Sequence, residues 1–146
     1  MTTSAPGLPV YGKQYIRFAE SGRVDDGVAI DQFVLVTVDN APATTPPTAA
    51  LMVAAGEAWG VIQQRFNVAT TGFATDINRQ ATIATSGLLL VQADGANLQA
   101  QNDALKVDAA GKSSSAGGAV TPNGTTPIVR ERVEVGGLPY VLVSFS

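Results

Sequence analysis

Residues 128–146, "IVRERVEVGGLPYVLVSFS", decide the fold. Two β-branched and aromatic runs flank Gly136-Gly137, the spacing of a tight hairpin whose two central residues need positive φ. In the first run Arg130, Arg132 and Glu134 fall on one face and Val129, Val133 and Val135 on the other. That alternation belongs to a half-buried strand.

The same reading extends toward the N-terminus. "DQFVLVTVDN", 31–40, is strongly β-forming and closes at Asp39-Asn40 before a proline-rich loop. Both of its faces are apolar, Phe33 and Leu35 on one, Val34, Val36 and Val38 on the other. Such a strand is covered twice, by a second layer or by another subunit. Val34, Val36 and Val38, with Trp59, are therefore the candidate oligomer interface. A lone Trp in a small β domain belongs to a core or a subunit contact more often than to a ligand platform.

Further strands are expected at 50–54 and 58–64, around a Gly56-Glu57 turn, and again from Ile83 to Val91. Asp94-Gly95 is placed as a hairpin turn, and "DALKVDAAGK" as a short strand turning at Ala110-Gly111. Segment 97–105, "NLQAQNDAL", tolerates a short helix. Loops are expected at 41–50, 66–79 and 113–127 from their Pro, Gly, Ser and Thr content. Residues 1–27 read as an extended N-terminal arm punctuated by Tyr11, Tyr15 and Phe18, with an ordinary first strand around "QYIRF" as the alternative. Many short strands without a sustained 3.6-residue period give an all-β class, a compact sandwich or barrel-like (β-tulip-like) domain over 28–146.

Composition narrows the function. The 146 residues suit one domain with one real core. Apolar residues make up 45% and charged residues only 14%, which excludes a wholly disordered chain. A net charge of −3, with Lys and Arg scattered, supplies no field for nucleic acid. The longest apolar runs, such as "GLLLV", are too short to cross a bilayer as helices, so no membrane partner is expected.

Neither His nor Cys occurs, so Ser-His-Asp and Cys-His machinery and thiolate or imidazole metal sites have no residues to work with. Both nucleotide-binding glycine fingerprints are missing as well. Asp25-Asp26 lacks a third ligand and reads as a solvated turn, and Asp103, Lys106 and Asp108 lack the calcium-loop pattern. Asn123-Gly124-Thr125 matches a glycosylation sequon but reads as a turn. No catalytic, cofactor or metal residues are assigned, and the chain is expected not to be an enzyme.

The order of segments over roughly 28–145 resembles the small β-rich capsid decoration, or cement, proteins of tailed bacteriophages. The likeness is carried by Trp59-Gly60-Val61-Ile62-Gln63, by "VQADGANLQAQNDALKVDAAGK" at 91–112 and by the strand Tyr140 to Phe145. Segments 1–27 and 41–50 are longer than that pattern. The resemblance implies a structural virion protein, made in the host cytoplasm, that sits on the capsid exterior and ties capsomers together. Its partners would be the major capsid protein and copies of itself, as trimers by preference. On that expectation Tyr11, Tyr15, Ile16 and Phe18 of the arm grip the capsid. The alternative is a carbohydrate-binding or adhesion-type β module using Trp59 and exposed tyrosines.

Overall fold

The structure, a computed structural model, describes residues 2–4, 14–24, 29–38, 48–52, 57–66 and 80–146. Among these residues ten strands run in chain order: β1 (Thr2–Ser4), β2 (Tyr15–Val24), β3 (Leu35–Val38), β4 (Thr48–Leu51), β5 (Gly60–Ile62), β6 (Gln80–Gln92), β7 (Lys106–Val107), β8 (Gly118–Ala119), β9 (Ile128–Val135) and β10 (Leu138–Phe145). The all-β expectation holds.

Eight strands form one sheet in the order β1-β9-β10-β6-β2-β4-β3-β5, and β5 pairs back onto β6, closing β6-β2-β4-β3-β5 into a ring. The 13-residue β6 is the spine. Its first part pairs with β2 and β5, and residues 87–92 pair with β10. The β9–β10 hairpin turns at Gly136 and Gly137, φ 58° and 82°, the left-handed values its sequence calls for.

Two cores result. Val24, Ile30, Val34, Val36, Ala49, Ile62, Ala81 and Ile83 fill one, flanked by Trp59 and Phe66. The larger one gathers Phe33, Leu35, Leu89, Leu90, Val91, Leu105, Val107 and the inward residues of β9 and β10. Leu35 belongs to one core and Val34 and Val36 to the other, so the segment is covered twice, as its composition demands, from within a single chain.

Several expectations need correction. Within the described part of the strand expected at 31–40, only Leu35–Val38 is a strand, because Phe33 takes φ 59° in a turn that inserts it under Tyr140, ring centroids 6.2 Å apart and edge-on; residues 39–40 lie outside the described residues. Residues 15–24 are not a free arm but a ten-residue strand bonded to β6. No helix forms at 97–105. There Gln99 turns inward and Ala104 bridges to Ile128, since the local polar side chains bond the backbone in place of an i→i−4 ladder. Asp94-Gly95 turns the chain, with Asn97 N–H donating to Asp94 O, but starts a lobe and not a hairpin. The expected loop at 113–127 holds buried Ser113 and Ser114, β8 and a 3₁₀ turn at Pro122–Gly124. Thr48 to Ala50, placed in a loop, opens β4. The expected turn at Gly56 lies outside the described residues, as do Tyr11, Asp25 and Asp26.

Candidate interaction surface

β2 is an unusual strand. Tyr15 to Ser21 are all exposed, although the same residues are bonded to β6 along one edge. Tyr15 is 68%, Phe18 61% and Ile16 40% exposed, in a fold whose other large apolar side chains are mostly buried. The register slips between Ile16 and Phe18 and again between Phe18 and Ala19. Tyr15 faces Leu88 and Phe18 faces Ser86, two residues apart on β6, so the bulge brings both aromatic rings to one face. The Arg17 guanidinium lies 5.5 Å from the Phe18 ring centroid, within cation–π range.

The strand is held firmly at both ends. Gln14 spans two neighbours, its Nε2 donating to Gln63 Oε1 at 2.9 Å and its Oε1 accepting from Leu90 N–H at 2.9 Å. Val24 is fully buried in the smaller core. Midway, Trp59 Nε1 donates to Glu20 Oε2 at 2.6 Å. Exposed apolar groups on a clamped strand lose little freedom on binding, which favours contact.

The lobe after β6 consumes its polar residues internally. Asp94 accepts from Ala96 N–H, Asn97 Nδ2 and Ser114 Oγ, bonds that, with those from Asn97 foremost, hold its carboxyl below the usual range. Asp103 accepts from Ala100 N–H, and Asp108 from Ala110 and Lys112 N–H. Gln99, 1% exposed, donates to Ala104 O and accepts from Lys106 N–H and Ser113 Oγ. Gly111, φ 78°, lies against β3. It accepts from Leu35 N–H through its carbonyl, and a Cβ there would stand 2.5 Å from Leu35 O. These residues build a scaffold. Among the described residues, no group of three Asp or Glu could hold a metal ion.

The residues singled out from sequence are thus divided. Tyr15, Ile16 and Phe18 come together on an exposed strand. Val34 and Val36 have no accessible surface, so the interface expected of them is filled from within the chain. Val38, at 37%, is left at the surface. Trp59 is half-buried against the smaller core with its indole N–H engaged. Sequence reasoning missed Gln14, Glu20 and Gly87 as supports of β2; only Gly87, inside an otherwise apolar strand, carried a local signal of a bulge.

No family model matches the chain, and no curated protein or solved structure matches it either.

Proposed function

We propose that the chain is a structural protein of a tailed-phage virion, docking on the outside of the capsid as a decoration protein and not as an enzyme. One observation supports this most: Tyr15, Ile16 and Phe18, in the segment expected to grip the shell, are exposed and mounted on a clamped strand. Exposed aromatic and Arg side chains in a rigid frame are the composition of binding hot spots. The motifs of 91–112 that carry the resemblance supply the lobe that braces β3 through Gly111.

Assembly on a particle multiplies weak contacts, so each copy needs only modest affinity. In this reading copies associate as trimers, using surface other than Val34 and Val36. The carbohydrate reading is weaker, since the Trp59 indole N–H is committed to Glu20 and the side chain packs against the smaller core. The test mixes purified protein with capsids assembled without it. The proposal expects saturable, stoichiometric binding and a shell that resists heat better. Absence of binding to mature shells, with glycan binding lost in Trp59→Ala, would contradict it.

A further inference from the structure

Asn123-Gly124 is the single Asn-Gly pair of the sequence. It crowns the 3₁₀ turn Pro122–Gly124, between β8 and β9. Asn123 and Gly124 are exposed and left-handed, φ 55° and 74°, which these two residue types tolerate best. A Cβ on Gly124 would meet nothing within 4 Å, so no packed neighbour shields this peptide bond. Asn123 also lines a cavity with Arg17, Phe18, Glu20, Thr85 and Ser86, which places it beside the exposed Phe18 ring.

We infer that Asn123 is a self-modification site. It converts to aspartate and isoaspartate through a succinimide closed by the Gly124 nitrogen, at a rate set by opening of the Pro122–Gly124 turn. The Gly124 nitrogen gives up its proton to solvent base and bonds to Asn123 Cγ, and the Cγ–Nδ2 bond breaks to release ammonia. Water then opens the ring at either carbonyl, so asparagine plus water yields an acid plus ammonia and no other reactant is consumed. Glycine suits the step, since a side chain on the attacking residue would crowd the closing ring. Every other Asn in the sequence precedes a larger residue.

The fold holds the reaction back. Ring closure needs the Asn123 Cβ and the Gly124 nitrogen nearly eclipsed about the Cα–C bond, whereas at ψ 29° they stand nearly opposite. The Gly124 N–H donates to Thr121 O at 3.0 Å, and the Thr125 N–H and Oγ1 both donate to Pro122 O, at 3.1 and 3.0 Å. These bonds lie within Thr121–Thr125, where only Pro122 is buried, so they open locally while the sheet stays folded. The product adds one negative charge to a chain of −3, in the cavity that Arg17 and Glu20 line. The modification therefore alters the charge beside Phe18, whatever that face binds.

The test incubates the full chain at mildly alkaline pH, folded in buffer and unfolded in guanidinium chloride, and follows amide-to-acid conversion and isoaspartate by peptide mass spectrometry. In the unfolded chain Asn123 should convert ahead of the other asparagines, to isoaspartate as well as aspartate, and Gly124→Ala should slow it by about tenfold. In the folded chain conversion should run about tenfold to a thousandfold slower than in the unfolded one. Thr125→Val, which removes one bond of the turn, should speed the folded reaction by about fivefold and leave the unfolded one unchanged. Equal folded and unfolded rates, no folded conversion within that range, aspartate without isoaspartate, or a folded rate unmoved by Thr125→Val would overturn the inference. All of these are read without capsids, so the docking proposal stands or falls on its own test.

Discussion

The carbonyl oxygen of Tyr15 occupies the space that a Cβ on Gly87 would need. Gly87 sits at φ 124°, and its missing side chain lets β2 close onto β6 at the bulge, with Arg17 N only 2.8 Å from the same point. Gly87→Ala must therefore shift backbone, not a flexible side chain, and adds left-handed strain. The expected cost is about 2 kcal/mol or more in urea unfolding. Amides of Tyr15–Ser21 should exchange faster before global stability is lost. An unchanged unfolding midpoint would mean that β2 is not seated as described.

Gln99 holds three groups of the 93–114 lobe with one side chain. Gln99→Leu keeps the volume but strands the Ser113 hydroxyl, Lys106 N–H and Ala104 carbonyl, for an expected loss of about 3 kcal/mol. Gln99→Glu keeps the acceptor but buries a carboxyl whose folded pKa is pushed up by burial. Its stability is then present below the unfolded value of about 4.3 and lost as pH rises. Unfolding curves at acid and neutral pH separate the two variants.

Asp31 links Gln32, Gln92 and Arg65 at the entrance to β3. Partial burial pushes its carboxyl up, but hydrogen bonds from the Gln92 side chain, the Gln32 amide and Arg65, with the Arg65 charge, outweigh burial and hold it below the usual range. A lowered folded pKa adds stability above the unfolded value of about 3.9 that is lost as pH falls through the folded one. Asp31→Asn should lower stability at neutral pH and flatten the acid limb of the stability profile. The pair is exposed, so the effect is modest.

Residues 1–20 include most of the β2 ladder onto β6. Truncation after residue 20 should uncover that edge of β6, lower the unfolding temperature and promote association. Unaltered melting would return residues 15–20 to the status of a detachable arm.

The hairpin at Gly136-Gly137 and the double cover of Val34–Val36 were legible because they are local: turn chemistry and side-chain alternation lie within a few residues. The source of that cover was not, because Val34 meets Ile62 and Ile83 only once β5 and β6 close the ring. Segment 97–105 misled because a helix-compatible composition says nothing of a buried Gln99 serving the backbone of Ala104 and Lys106. In the candidate surface, Tyr15, Ile16 and Phe18 were visible as aromatic and apolar punctuation in a polar segment. Their clamps, Gln14 to Gln63 and Trp59 to Glu20, join positions far apart in the chain and left no local trace.

The most direct measurement titrates wild type and a Tyr15→Ala/Phe18→Ala double variant against capsids assembled without the protein, counting bound copies per shell. Both side chains are exposed, so the variant should unfold within about 0.5 kcal/mol of wild type. The account predicts that wild type saturates at a fixed copy number and that the double variant binds at least about tenfold more weakly. Equal binding by the two proteins, or no saturable binding by wild type, would contradict it.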